Sequence, residues 1–281
     1  MILISEKEKF FDPRKPFQSA RPETHEEWQA RMGGEVLAVV RSGLYLDFRF
    51  LDQALSALTP TADERCGVLA TDGTILCYQP SALLRLYQKN PKYLNRLYLH
   101  TVFHCIFRHL WLRDKRDPDL WGLACDIAVE STLDALNTAA TKRPVGWVRQ
   151  QCYTQLRQSC KFLAAGPIYR VLTKTDAETL NKWQREFYTD SHRLWPADPT
   201  SPEAQMRGKQ WENLGRQTEL SMEENGQRAG QDTAAQALQA QVQAGRSRRT
   251  YRRFAQRAVA PEILTEAVDA ARIASCGANR Q

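Results

Sequence analysis

Between Asn95 and Leu136 the chain carries two segments so apolar that each must be buried on nearly every side, yet ionisable groups recur inside them at helical spacing. The first, NRLYLHTVFHCIFRHLWLR, has neither Gly nor Pro, and its apolar pattern runs on through Trp111, so one continuous helix is expected. The second opens at Asp117-Pro118, an N-cap with proline at the first helical position, and continues as DLWGLACDIAVESTL. His100 and His104 are one turn apart, separated by about 40° around the first helix. Asp126 and Glu130 repeat that spacing on the second.

Two imidazoles one turn apart can hold one zinc ion (Zn2+), which then needs a third protein ligand. A carboxylate buried in an apolar helix costs several kcal/mol unless it is paired or metal-bound, so Asp126 is the expected third ligand. Glu130 then orients a histidine N–H, or serves as an alternative ligand. The bland alternative stays open: the same four groups can hydrogen-bond to one another as a polar core cluster. A continuous helix puts His109 about 180° from His100, on the far side as a structural polar residue beside Arg108.

Composition narrows the class. With 281 residues, 42% of them hydrophobic and 25% charged, the chain can build one sizeable core and is not a disordered or collagen-like protein. Apolar runs are broken by charge well before about 18 residues, which argues against a membrane span. The opening MILISEKEKFFDPRKPF lacks a secretory leader's basic start and apolar stretch, so a cytoplasmic location is expected. Cysteines at 66, 77, 105, 125, 152, 160 and 276 form no CxxC pair, which points away from disulfides and from a cysteine zinc ribbon. The net charge of +7 is concentrated in RSRRTYRRFAQR, where Arg246, Arg248, Arg249, Arg252, Arg253 and Arg257 form a basic patch. Such a run suits an acidic partner or a solvated helix face; whole-chain basicity is too weak to favour nucleic acid.

The expected organisation is a polar arm over 1–30, a main domain over 31–195, a polar, partly disordered linker over 196–245 and a basic helical tail over 246–281. Helical spacing from Gly34 to Leu58 carries a break near Gly43. Two β-favouring segments flank Asp72-Gly73, the signature of a hairpin with a type I′ turn. Helix is expected again from Arg149 to Trp195, interrupted at Gly166-Pro167. Past Pro196 the Gln-, Ala-, Gly- and Glu-rich composition indicates a linker or a weakly held helix.

The runs GVLATDGTILCYQP, LYLHTVFHCIFRH and DPDLWGLACDIAVE, taken in order, resemble the bacterial metallopeptidase-like domain that precedes a von Willebrand factor A-like domain. That family pairs a TDG hairpin with an HExxHxxxxH helix and a W-x-x-A-x-D helix, here Trp121, Ala124 and Asp126. YTDSHRLWP resembles its acidic-histidine-tryptophan segment, at Asp190, His192 and Trp195. The resemblance spans about residues 30–195 and implies an α+β, zincin-like fold, mainly helical, with a small hairpin sheet and a central HxxxH helix. It also implies zinc, a peptide or protein substrate and association with AAA+ ATPases. The tail resembles the lead-in to the A-like domain, which does not follow here.

One departure bears on activity. The family's HExxH glutamate, which takes a proton from the attacking water and passes it to the leaving amine, is Thr101 here. A hydroxyl is far too weakly basic for that role near neutral pH. The sequence therefore supports three readings: a zinc-binding metallopeptidase-like protein with weak or lost hydrolysis, an active peptidase with another base such as Glu130, and a non-catalytic binding or scaffold module. His192 enters either as a transition-state or substrate contact or as a surface helix cap.

Overall fold

Thr24 starts the first helix by a reciprocal cap: its Oγ1 accepts from Glu27 N at 3.2 Å while Glu27 Oε2 accepts from Thr24 N at 2.8 Å. The computed structural model describes residues 21–229, so the arm before them and the basic patch Arg246–Arg257 lie outside the described residues. Helix α1 (His25–Asp47) buries Val36, Leu37, Val40 and Leu44. It runs through Gly43 without the expected break, because Gly43 lies on its open side; the chain turns at buried Phe48 instead, leading to a short α2 (Asp52–Ser56).

The hairpin pairs β2 (Leu69–Thr71) antiparallel with β3 (Ile75–Tyr78). Its turn is not type I′. Thr71 pairs with Leu76, so four residues separate the paired ends, and of these only Gly73 has positive φ, at 89°. The reason is Asp72, whose Oδ1 accepts from Thr74 N at 2.8 Å and Ile75 N at 2.9 Å and so winds the turn around its own carboxylate. A third strand, β1 (Thr59–Ala62), lies parallel to β3 and gives the order β1-β3-β2. All four of its residues are exposed, so it carries no burial alternation that would mark it as a strand.

Helix α3 (Pro80–Lys89) leads into α4 (Pro91–Ile106), whose residues from Arg96 to Ile106 are all buried. Helix α4 stops earlier than its apolar pattern suggested. Arg108 adopts a left-handed conformation (φ 63°), and His109–Trp111 form a separate turn. The cause lies far along the chain: Arg108 Nη1 meets Glu212 Oε2 at 3.3 Å, with both side chains buried. Helix α5 (Pro118–Leu136) begins as expected, with Asp117 Oδ1 accepting from Leu120 N at 2.9 Å.

Two apolar cores flank α4 and α5. One joins α1 and α4 to Leu69, Leu76 and Tyr78 of the sheet. The other packs α5 against α6 (Trp147–Ser159), α7 (Ala165–Leu172) and α8 (Ala177–Phe187). Gly166-Pro167 sits in the first turn of α7, and the interruption falls just before it, after Cys160. Of the stretch 196–245 whose composition indicated a linker or weakly held helix, residues 230–245 lie outside the described residues, while Pro202–Ala229 form α9. Its lone aromatic supplies the anchor: buried Trp211 donates from Nε1 to Gly73 O at 2.7 Å, and Arg207 pairs with Asp72 at 2.8 Å.

The class is the α+β arrangement expected, mainly helical with one small sheet; the HxxxH helix lies in the first core, and α5 contributes to both. The described cysteines are free thiols. No helix among the described residues is long and apolar enough to cross a membrane.

Candidate metal centre

Helices α4 and α5 bring His100, His104 and Asp126 together, and the segment after α8 adds Asp190; the four are buried, with ligand atoms all within 4.8 Å of one another. His100 Nε2 and His104 Nε2 stand 2.8 Å apart. Asp126 Oδ1 lies 3.4 Å and 3.3 Å from these two nitrogens, and Asp190 Oδ1 lies 3.7 Å and 3.8 Å from them. His192 reaches the same place, with Nε2 at 3.1 Å from each carboxylate oxygen, so it is not a surface helix cap.

The far edges of the two α4 imidazoles are held by protein. His100 Nδ1 meets Glu130 Oε1 at 2.9 Å; with the proton on Nδ1, its Nε2 faces the cluster as a lone pair. His104 Nδ1 meets His109 Nδ1 at 3.0 Å. This contact exists only because α4 ends at Ile106 and the Arg108 turn folds His109 back, reversing the far-side position that a continuous helix would impose. Burial keeps His109 neutral by pushing its pKa well down, so it can accept from His104 Nδ1, while the two Nε2 atoms share a proton between them in the metal-free chain.

Glu130 faces away from the cluster centre. Its Oε2 accepts from Arg96 Nε at 3.0 Å and Nη2 at 2.7 Å, and also from Arg149 Nη1. Burial would raise its pKa, but the hydrogen bond from His100 and the charge of Arg96 outweigh that and hold it well below the usual carboxylate range. A carboxylate so committed is no substitute base. Thr101 is fully buried, and its hydroxyl lies 3.1 Å from Leu97 O and 3.2 Å from Asp190 Oδ2, with one proton to give. At position 101 this chain thus has a hydroxyl that tethers one oxygen of Asp190 and leaves the other to the cluster.

Without a metal the cluster balances its charge with protons. Burial opposes charge on His100, yet hydrogen bonds to Asp126 and Glu130 and the charge of Asp190 lift its pKa to about 9. For His192, burial is outweighed by the charges of Asp126 and Asp190, and the pKa rises to about 10. For His104 burial wins, and its pKa falls to about 4. On Asp126 burial, which raises, is overcome by the charge of His192 and by the imidazoles of His100 and His104 beside it, leaving it well below the ordinary value.

The donor set fits a metal. Asp126 Oδ1, Asp190 Oδ1 and His192 Nε2 are buried without a hydrogen-bond partner, and such orphaned groups cost about 1–3 kcal/mol each unless something fills the gap. His100, His104, Asp126 and Asp190 would hold the ion. A cavity of about 380 Å³, lined among others by Arg113, Gln184, Tyr188, Arg193 and Trp195, opens onto Asp126, Asp190 and His192.

A buried cluster of two histidines and two carboxylates of this kind could hold a metal ion. The chain belongs to the family described as "Putative metallopeptidase domain", whose model matches residues 40–278. No curated protein and no solved structure matches it. Spacing alone pointed to His100, His104, Asp126 and Glu130, whereas Asp190 came forward only through the resemblance. Arg96, Arg149 and Asp134 were missed: charged residues at buried helical positions were the available signal, and their partners are 15 to 38 residues away in sequence.

Proposed function

We propose that the chain is a zinc-binding member of the metallopeptidase-domain family in which peptide hydrolysis is weak or lost. The observation that carries this reading is the fate of position 101. Its buried hydroxyl hydrogen-bonds within the cluster instead of supplying a base, and Asp190 Oδ1 lies among the donor atoms themselves. Bound zinc would supply Lewis acidity to a carbonyl. The chain's own groups would hold and orient the ion through His100, His104 and the carboxylates, but none is placed to shuttle a proton to a leaving amine. His192, with its pKa lifted to about 10, stays protonated near neutral pH in the metal-free chain and is no base either.

The test is metal content by plasma mass spectrometry on protein never exposed to chelator, beside His104→Ala, with peptide turnover measured on the zinc-loaded chain. Near one zinc per chain, lost in the variant, with turnover no higher than in Asp126→Asn, is the expected result. Absence of metal from the wild-type chain would reduce the cluster to a polar core. Robust turnover abolished by Asp190→Asn, with zinc retained, would establish an active peptidase with Asp190 as its base.

A further inference from the structure

The orphaned His192 Nε2 is the least explained atom in the centre. It lies 3.1 Å from Asp126 Oδ1 and 3.1 Å from Asp190 Oδ1, close enough for a hydrogen bond, yet it has hydrogen-bond geometry to neither. Its contact with the two carboxylates is therefore one of charge, with the ring N–H aimed squarely at neither oxygen. We infer that His192 is itself a metal ligand, giving a site of three imidazole nitrogens (His100, His104, His192) and two carboxylate oxygens (Asp126, Asp190). The inference rests on the metal-binding reading above and deepens it.

The separations agree. Neighbouring donors bound to one first-row ion at 2.0–2.2 Å stand roughly 2.8–3.6 Å apart. The two His192 contacts at 3.1 Å fall in that range, as do the 3.4 Å and 3.3 Å from Asp126 to His100 and His104. The 3.7 Å and 3.8 Å from Asp190 to the same histidines lie just outside it, a few tenths of an ångström from closure.

The backbone explains how Asp190 and His192 arrive together. Ser191 is extended and donates to Leu69 O at 3.1 Å, which fastens the segment to the edge of β2. Residues i and i+2 of an extended segment point the same way, so Asp190 and His192 enter from one side. The imidazole is then fixed from two directions. Trp195 stacks on it with centroids 3.8 Å apart and planes at 24°, while on α5 Gly122 leaves the room it needs. A Cβ at 122 would lie 2.8 Å from His192 Nδ1.

Five protein donors leave a preferentially four-coordinate ion no vacant position for substrate, whereas catalytic zinc sites keep one open. The ion would act as a clamp joining α4, α5 and the 190–195 segment. An imidazole-rich N/O set of this kind suits a divalent first-row ion such as zinc.

The test uses the full chain, stripped of metal and titrated with zinc against a chelating dye, and with cobalt for its visible absorption. Losing a supporting hydrogen bond costs about 10–100-fold in metal affinity, so losing a ligand should cost more. His192→Ala should weaken zinc by more than about 100-fold and move the cobalt bands from the weak five-coordinate to the stronger four-coordinate pattern. Gly122→Ala keeps the imidazole, favours the helix and pushes the ring off the site, so it should shift the same bands even if His192→Ala fails to fold. Unchanged cobalt bands in the variants that fold, or a zinc loss within about 100-fold in His192→Ala, would overturn the assignment of His192 and leave a four-donor metal site. A wild-type chain that binds neither ion would overturn the metal reading itself.

Discussion

Asp126 and Glu130 lie one turn apart on α5, both are buried, and their surroundings treat them in opposite ways. Every contact of Glu130 is with protein: His100 on one oxygen, Arg96 and Arg149 on the other. Asp134 extends this network to Arg96 at 2.6 Å and to the Tyr153 hydroxyl at 2.8 Å, so positive and negative groups answer one another without help. Asp126 instead presents an oxygen with no hydrogen-bond partner to three histidines and a second carboxylate. The first region is charge-balanced within the chain, with Arg149 Nη2 its one buried atom lacking a hydrogen-bond partner, whereas the second leaves Asp126 Oδ1, Asp190 Oδ1 and His192 Nε2 without one. A buried carboxylate alone signals neither structure nor function, and the distinction lies in whether its partners are already in the chain.

The largest effect should come from opening the charge-balanced side. Arg149→Met strips Glu130 and Asp134 of a guanidinium in a buried setting, and breaking such a pair from one side costs about 3–5 kcal/mol. Urea unfolding of the metal-free chain measures it, and the loss should be the same with zinc present. Asp126→Asn should do the reverse. Its cost to the metal-free chain is expected to be smaller, but zinc should no longer stabilise it. Wild type should gain about 2.7 kcal/mol at a free zinc concentration 100 times the Kd. Equal zinc responses in Arg149→Met, Asp126→Asn and wild type would erase the distinction between the two regions.

Protons sharpen it next. His100 and His192 have folded pKa values of about 9 and about 10, above the unfolded value near 6.5, so their protonation stabilises the metal-free fold fully below pH 6.5. That stabilisation is lost as pH rises through 9 and 10, with a slope of at most about 1.4 kcal/mol per pH unit for each proton. His104, pushed to about 4, is neutral in the fold across this window but takes up a proton on unfolding near pH 6, so it lowers stability there and contributes nothing only well above pH 6.5. Zinc requires neutral imidazoles, so the loaded chain should show a flatter profile and binding should release protons. Thermal unfolding from pH 6 to 10, with and without zinc, tests this; parallel profiles would mean that the ion does not bind at these histidines.

How much of this was legible in the sequence follows the same division. Helical spacing placed His100 beside His104 and aligned Asp126 with Glu130, because a buried helix fixes relative angles locally. The Asp117-Pro118 helix start was equally local. What the sequence hid depends on distant partners. No Gly or Pro marks the end of α4, since the left-handed Arg108 is held by Glu212 on another helix, and His109 was misplaced as a result. Strand β1 has no buried face to betray it, and α9 owes its anchorage to Trp211 reaching the hairpin turn. The Arg96–Glu130–Arg149 network joins three helices, so the spacing within any one of them does not show that these charges meet.

The smallest expected effect probes the seam between the two regions. The Thr101 hydroxyl is shared between Leu97 O and Asp190 Oδ2. Thr101→Val keeps the volume and removes the donor, leaving that Asp190 oxygen without it. Because the proton is shared, the cost to the metal-free fold should be only about 1 kcal/mol. Its effect on zinc should be clearer, since a tether that aims a ligand is worth about 10-fold or more in affinity. A carboxylate at this position should not create peptidase activity: in Thr101→Glu it meets Asp190 in a fully buried position, and like charges there raise one pKa rather than create a free base. A Thr101→Val chain with wild-type zinc affinity, or a Thr101→Glu chain that cleaves peptides, would show that position 101 does not aim Asp190 and would return the site to an ordinary peptidase geometry lacking only its base.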